Sequence, residues 1–438
     1  MSIIYALATP PAQSAICVFR VSGEGCLDAL SKLFSSELVE PRYFYKTEML
    51  NNGVFIDSVA VVFFKGPKSF TGEDSFEVYA HGGLAVMSKI VEVFDAVGFE
   101  EAQPGEFSKR AFLNNKISLS QAEAVSDLIS ASSKEEASRV SLVLGGDFES
   151  RVFDFSGQLD ALRVLVEGEI DFTDEDEVFI QNLAGLGADV SRLSAEFCSF
   201  AGACSSRKDG FNKPRVLIAG PPNSGKSSLF NSLLSRDRSI VSSIAGTTRD
   251  LIDSELVLQN IVLTLGDSAG VRDTDDLIEG AGINISFDEI KKSDLVILVF
   301  DEETKSSVSF FRELLGEQKH LLVYNKIDVS DKRPLGFDLF VSAKEMDGLN
   351  ELRKILDERL SVDESEDLTY LVRERHINIF SEVSSRLDFV SSSIEANESL
   401  DVVAENLKAC RDLLAEVVGI KTSDELLGEI FSSFCIGK

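Results

Sequence analysis

The chain has 438 residues, enough for about three domains at roughly 150 residues each. Apolar residues make up 44% and charged residues 26%, the balance of a folded globular protein. With 43 Lys and Arg against 73 Asp and Glu, the net charge is −30, which excludes a protein that coats nucleic acid through its overall charge.

Residues 1 to about 117 alternate strand-like runs with turns: Ala15–Val21, Asp57–Phe64 and Phe76–Tyr79, the last closed by His81-Gly82-Gly83. Between Gly83 and Gly98 the period changes, and Leu84, Met87, Ile90, Val91 and Phe94 fall on one helix face. This reads as a small α+β domain.

From about 118 the pattern is helical. Ser120-Gln-Ala-Glu123 reads as a capping box, with serine and glutamate satisfying each other's free backbone donors. Val125, Leu128, Ile129 and Val140 follow at helical spacing up to Gly145-Gly146. A second helix is expected through Phe148, Val152, Phe155, Leu159, Leu162 and Val166. The acidic stretch 167–177 reads as a solvated loop or helix end.

Between about 213 and 362 strand, loop and helix repeat. Val216–Ala219, Ile261–Leu265, Leu295–Phe300 and Leu321–Tyr324 are short apolar runs, each followed by Gly, Asp or Asn. Buried parallel strands with ligand loops at their carboxyl ends have this form. From 363 to 438 the chain is helical again. Neither helical piece, 118–212 nor 363–438, has a self-sufficient pattern, so one helical domain interrupted by an inserted α/β domain is expected.

Cys17, Cys26, Cys198, Cys204, Cys410 and Cys435 form no C-x-x-C pair, and there are three histidines, which makes a structural zinc site improbable and suits a reducing compartment. The start lacks the basic and long apolar regions of a signal peptide, and no apolar run is long enough to cross a bilayer. A cytoplasmic protein is expected.

Gly220-Pro-Pro-Asn-Ser-Gly-Lys-Ser227 fits G-x-x-x-x-G-K-[ST] between a predicted strand and helix. Its glycines let backbone amides curl around phosphate oxygens, Lys226 reaches the β- and γ-phosphates, and the Ser227 hydroxyl suits Mg²⁺. Thr248, in Gly246-Thr-Thr-Arg-Asp250, supplies a second hydroxyl for the metal. Asp267-Ser-Ala-Gly270 offers a carboxylate for the outer metal shell and an amide that senses the γ-phosphate. In Asn325-Lys-Ile-Asp328 the final carboxylate can accept from guanine N1–H and the 2-amino group, a donor pair adenine lacks. Ser342-Ala-Lys344 is placed for a backbone contact to the guanine oxygen. Five such motifs in order indicate a Ras-like GTP-binding domain, similar to the translation-factor-related GTPases. The water-orienting glutamine that often follows Asp-x-x-Gly is replaced by Val271; several carboxylates in 272–279 could take its role, and Arg249, Arg272 or a cation held by Asn223 could supply positive charge.

Over essentially its full length the chain resembles the tRNA-modification GTPases of the MnmE (TrmE) family. The resemblance rests on Ala8-Thr-Pro-Pro11, Ser69-Phe-Thr-Gly-Glu-Asp74, His81-Gly-Gly83, Pro104-Gly-Glu-Phe107, Arg110-Ala-Phe-Leu-Asn114, Gln121-Ala-Glu-Ala124, the GTPase motifs and the ending Phe431-Ser-Ser-Phe-Cys-Ile-Gly-Lys438. It implies residues 1–117 as a tetrahydrofolate-binding dimerisation domain, with Arg20, Glu77, Lys116 and Lys438 at the positions for a 5-formyl or 5,10-methylene tetrahydrofolate. It implies a G domain activated by K⁺-dependent dimerisation, with Asn223, Ser242, Ile244 and Thr247 around the K⁺ and Ser227, Thr248 and Asp267 around Mg²⁺. Glu279 matches the catalytic glutamate that orients water. The nucleotide would touch Asn223, Ser224, Gly225, Lys226, Ser227 and Ser228; Ser242, Ser243, Ile244, Ala245, Gly246, Thr247 and Thr248; Asp267, Ser268, Ala269 and Gly270; and Asn325, Lys326, Asp328, Ser342, Ala343 and Lys344.

The resemblance further implies that GTP hydrolysis drives C5 modification of the tRNA wobble uridine (U34), with a carboxymethylaminomethyl or aminomethyl product. The homodimer would work with an FAD-containing partner, MnmG, in a heterotetramer and would share the tRNA with it. Cys435 matches a cysteine linked to the modification step; a buried structural thiol is the other reading. Ser268 in place of the usual threonine, and Gly280 in place of arginine after Glu279, depart from the pattern. Two rival functions share parts of this sequence: a GTP-dependent ribosome-assembly switch, and a folate-dependent one-carbon transferase with a regulatory G domain.

Overall fold

The computed structural model describes residues 2–171, 176–207, 213–234, 253–267, 287–316, 318–329, 332–360, 369–396, 398–421, 424–432, 434 and 437. They form two compact units. One comprises 1–130, 138–209 and 366–438, and the other comprises 131–137 and 210–365.

The amino-terminal part of the first unit is a sheet built from β1 (Ile4–Leu7), β2 (Ile16–Ser22), β3 (Tyr45–Asn51), β4 (Val54–Phe64), β5 (Ser75–His81) and β6 (Glu100–Glu101), in the order β3-β4-β5-β2-β1-β6. Pairing is antiparallel except for β1 with β6. All three predicted runs lie in strands apart from Ala15, and alternate side chains along them turn to one face. Phe19, Val21, Val61, Phe63, Phe76 and Val78 face the core. A single turn, α1 (Leu30–Leu33), and α2 (Leu84–Ala96) accompany the sheet. The buried stripe of α2 is Met87, Ile90, Val93 and Phe94. Leu84, expected on that stripe, is exposed, and the inward position goes to Val93 instead.

Next come α3 (Glu106–Leu113) and α4 (Leu119–Ile129). The cap of α4 corrects the sequence reading. Ser118, not Ser120, is the N-cap: its Oγ accepts from Gln121 N at 3.2 Å, and Gln121 Oε1 accepts from Ser118 N at 3.0 Å. Glu123 has no share in the cap because it is buried and engaged elsewhere. It accepts two hydrogen bonds from Arg375, at 3.0 and 2.9 Å. Beside it Asp127 pairs with Arg373 at 2.7 Å.

The helices α5 (Lys134–Leu144), α6 (Asp147–Asp171) and α7 (Asp176–Gly202) follow, then β7 (Cys204–Arg207). All six residues expected on the face of the second helix are buried along α6. Of the acidic stretch, residues 172–175 lie outside the described residues; 167–171 end α6 and 176–177 begin α7.

The second unit carries β8 (Arg215–Ala219), α8 (Lys226–Leu234), β9 (Asp253–Val257), β10 (Val262–Asp267), α9 (Phe287–Lys292), β11 (Leu295–Phe300), α10 (Val308–Leu315), β12 (His320–Tyr324), β13 (Leu339–Phe340) and α11 (Leu349–Leu360). The sheet order is β13-β12-β11-β8-β10-β9, parallel throughout except for β9. Every residue of β11 is buried, as expected of a central strand covered on both faces. Residues 131–137, which the helical pattern placed in the helical segment, join this sheet: Val262 N donates to Ser132 O at 2.6 Å, and Ser133 bridges Ile261.

The first unit resumes with β14 (Tyr370–Arg373), α12 (Glu374–Glu395), α13 (Leu400–Val418) and α14 (Asp424–Ser432). Within the unit α6 neighbours α13 and α7, and α12 neighbours the same two helices, making a four-helix core. Its centre is aromatic, with Phe148, Phe155, Phe197, Phe200 and Phe380 in mutual ring contact. Strand β14 pairs in parallel with β7, from Tyr370 opposite Cys204 to Arg373 opposite Arg207. This ladder holds side by side the chain leaving for the inserted domain and the chain returning from it. Such close ends are what a tolerated insertion needs.

Candidate functional site

The phosphate loop runs from the end of β8 into α8. Two glycines make it possible. A Cβ on Gly220 would stand 2.3 Å from Val299 O, and one on Gly225 would stand 2.2 Å from Asn325 Nδ2. Both glycines also have positive φ, +146° and +93°, a backbone region that L side chains resist. Asn223 joins them with φ 62°. The Lys226 ammonium donates to Pro221 O at 2.8 Å, across the loop. The buried Ser224 hydroxyl donates to the same carbonyl at 3.0 Å. Ser227 and Ser228 are exposed in the first turn of α8, where the helix's free amides favour an anion.

The Asn325–Asp328 loop follows β12. Asn325 is buried; its Nδ2 donates to Ser224 O at 3.0 Å and its Oδ1 accepts from Ala343 N at 3.1 Å. Lys326, at φ 65°, donates to Asn223 O at 2.7 Å and to Asp301 Oδ2 at 2.6 Å. Asp328 Oδ1 accepts from Ser342 Oγ at 2.6 Å, and Ser342 Oγ accepts in turn from Glu345 N at 3.1 Å. The Ser342 hydrogen bond holds the Asp328 carboxyl below its usual range, so it stays an acceptor for N–H donors. Three motifs far apart in sequence thus meet: Asn223–Ser228, Asn325–Asp328 and Ser342–Lys344.

Asp301 belongs to this site and was not singled out from the sequence. Burial raises its carboxyl, but hydrogen bonds from Lys326 and Thr304 outweigh that and hold it down. The signal was an acid directly after the buried run Leu295–Phe300.

Glu279, Cys435, Lys438, Ser242, Ser243, Ile244, Ala245, Gly246, Thr247, Thr248, Ser268, Ala269 and Gly270 lie outside the described residues, as does the side chain of Asp267 at the end of β10. The described part of the loop fits a magnesium nucleotide: amide-lined, with a lysine and a hydroxyl at the helix start. Asn223 offers a neutral amide oxygen, a donor that suits a monovalent cation.

A second candidate site lies on the outward face of the amino-terminal sheet. Arg20 on β2 stands directly opposite Glu77 on β5. Arg20 Nε donates to Glu77 Oε1 at 3.0 Å, and Tyr79 OH donates to Glu77 Oε2 at 2.7 Å. The Phe44 ring, more than half exposed, lies 5.2 Å from that of Tyr79. Lys116 donates to Pro67 O at 2.8 Å, so among the described contacts it braces the 65–74 loop and does not touch the Arg20–Glu77 pair. A carboxylate, a guanidinium and exposed aromatic surface together suit a flat heterocycle with N–H donors and a charged tail. Tyr79 and Phe44 were not foreseen; the period-two alternation along β5 places Tyr79 beside Glu77.

Comparisons with known proteins agree in extent. The family model for the GTP-binding protein TrmE N-terminus matches residues 3–116, and that for the MnmE helical domain matches residues 119–435. A tRNA modification GTPase MnmE from Legionella pneumophila (strain Corby) is 38% identical over 447 residues, covering 99% of each chain. One from Francisella philomiragia is 34% identical with the same coverage. The solved G domain of the T. maritima FeoB iron transporter is 28% identical and covers 34% of this chain and 99% of its own, with a TM-score of 0.26.

Proposed function

The chain belongs to the MnmE family of tRNA modification GTPases, and from that premise we propose that it couples GTP hydrolysis to C5 modification of the wobble uridine with a folate one-carbon unit. The observation that supports this most is the meeting of the phosphate, base and Ser342–Lys344 loops on Asn325. That junction lets one nucleotide's two ends be gripped by a single rigid body.

In this reading Lys226 grips the terminal phosphates and Ser227, with Thr248 and Asp267, holds Mg²⁺. Asp328 accepts from the guanine edge and rejects adenine. Asn223, Ser242, Ile244 and Thr247 hold a K⁺ ion, which supplies the charge that an arginine finger brings in other GTPases. Glu279 orients the attacking water. G domains of two copies meet during turnover, and the homodimer works in the cytoplasm with an FAD-containing MnmG-type partner, with which it shares the tRNA. The charge of −30 fits a division in which the partner provides much of the basic surface.

On the other sheet, Arg20 and Glu77 bind a reduced folate, with Lys116 and Lys438 completing the set and Cys435 serving the modification step. The folate supplies the one-carbon unit; the protein's part is to orient it. Glu77 offers its carboxylate to N–H donors and Arg20 its guanidinium to an anionic group.

Mass spectrometry of tRNA nucleosides from cells lacking this protein tests the reading. Loss of the C5-aminomethyl-type uridines is expected, and an intact set overturns it.

A further inference from the structure

We propose that His81 is a further ligand-binding residue of the outward sheet face, accepting at Nε2 a hydrogen bond from an N–H donor of a reduced folate. The inference rests on the folate reading above and deepens it.

His81 ends β5, and Glu77, Tyr79 and His81 alternate onto one face, while Phe76, Val78 and Ala80 between them are buried. The strand opposite continues the face: Arg20 stands against Glu77, Val18 against Tyr79 and Ile16 against His81. Ile16 is 59% exposed. The result is a strip with an ion pair at one end, aromatic and aliphatic surface in the middle and an imidazole at the other end. Four residues of strand span roughly 14 Å, so the strip suits an elongated ligand with polar groups along its length.

The imidazole is fixed in orientation. Its Nδ1 lies 2.8 Å from Asp57 Oδ1, and the His81 backbone N donates to Asp57 Oδ2 at 2.9 Å. Asp57 Oδ1 also accepts from Ser58 N at 2.8 Å, so the carboxylate is locked from three sides. The Asp57 side chain is 11% exposed and the His81 side chain 70%. A carboxylate oxygen only accepts, so the shared proton sits on Nδ1, and the neutral form of the ring carries its lone pair on Nε2. A buried acid on the core-facing side of β4 thus orients an exposed imidazole at the end of the strip that begins with Glu77. A bare strand terminus would not need that second hydrogen bond, since the backbone amide alone is satisfied by Oδ2.

The test is calorimetric titration of the full chain with 5-formyl-tetrahydrofolate at about pH 8, where an ordinary imidazole is neutral. His81→Phe keeps a ring but no acceptor and is expected to weaken binding about 10-fold. His81→Gln, whose amide oxygen accepts, is expected to stay within about 3-fold of the parent. In ¹⁵N spectra, with only three histidines to assign, His81 Nε2 is expected to carry no proton in the free chain and to shift when the folate is added. A His81→Phe chain that binds as tightly as the parent overturns the inference, and so does a proton on Nε2. If His81→Phe fails to fold, the spectra decide. No binding by the parent chain overturns the folate reading as well, whereas parent binding lost in Glu77→Gln but kept in His81→Phe sinks the inference alone.

Discussion

Asn325 and Ser224 are joined by a hydrogen bond of 3.0 Å, so the Asn325–Asp328 loop also braces the glycine-rich loop that leads into α8. The same side chain holds Ala343 N, and Gly225 has no Cβ to obstruct it. Asn325→Ala would strand a buried carbonyl and a buried amide, each at a cost of about 1–3 kcal/mol. We expect GDP and GTP affinity to fall together by ~10- to 100-fold. Calorimetry with both nucleotides checks this, and loss of only one of the two would contradict the shared brace.

Lys226→Ala should abolish tight GTP binding, because in the proposed site its ammonium, which spans the loop at Pro221, is the cation that meets the terminal phosphates. Asp328→Asn should weaken guanine preference, since an amide presents a donor where two acceptors are needed. Competition of GTP against ATP and xanthosine triphosphate reads the second effect; unaltered selectivity would remove Asp328 from the base contact.

Glu279→Ala is expected to spare nucleotide affinity and slow hydrolysis by ~100-fold or more, the scale of a positioned water lost. Exchange of K⁺ for Na⁺ should suppress turnover in the parent chain. Indifference to the cation would discard the site around Asn223.

Glu123 and Arg375 supply a pH prediction. Burial raises the Glu123 carboxyl, but His376 when it carries a proton, and the charge and two hydrogen bonds of Arg375, overcome it and hold the group well below the usual carboxylate range. His376 lies 3.3 Å away, wholly buried, and desolvation pushes its own pKa down. At neutral pH the standing partner is therefore Arg375. A depressed acid contributes stability above its unfolded value, and that contribution is lost as pH falls through the folded one. Glu123→Gln should cost about 3–5 kcal/mol near pH 7, with the gap narrowing once pH drops below the ordinary carboxylate range. Urea melts at several pH values check the sign; a gap that widened in acid would refute it.

Gly105 has φ +69°, and a Cβ there would stand 2.5 Å from Phe431 O. Gly105→Ala should destabilise the seat of α14 by a few kcal/mol (about 1–3 for the strain alone) and expose residues 424–438 to protease. Unchanged proteolysis would show that the approach relaxes freely.

Much of this architecture could be read from the sequence, because buried strands and amphipathic helices carry strong periods. β11 spans the predicted Leu295–Phe300, and α6 buries each of its expected apolar residues. What escaped had no local period. The cap moved from Ser120 to Ser118 because Glu123 answers to Arg375, a partner distant in sequence. The β7–β14 ladder pairs Cys-Ser-Ser-Arg with Tyr-Leu-Val-Arg, and neither tetrapeptide alone announces a strand. At the candidate nucleotide site the motifs singled out loops that the structure brings together, Asn325 touching both Ser224 and Ala343. Asp301 was harder to find, because one acid after a strand looks like any turn.

Phe431 and Phe434 pack with Leu119 and Ala122, and a Cβ on Gly437 would stand 2.9 Å from Leu7 O. During synthesis these partners leave the ribosome hundreds of residues apart. The amino-terminal sheet can gather early, as domains of growing chains do, yet this small cluster must wait until the final helix has been released. Loss of α14 would therefore injure the packing of a part of the chain made long before it.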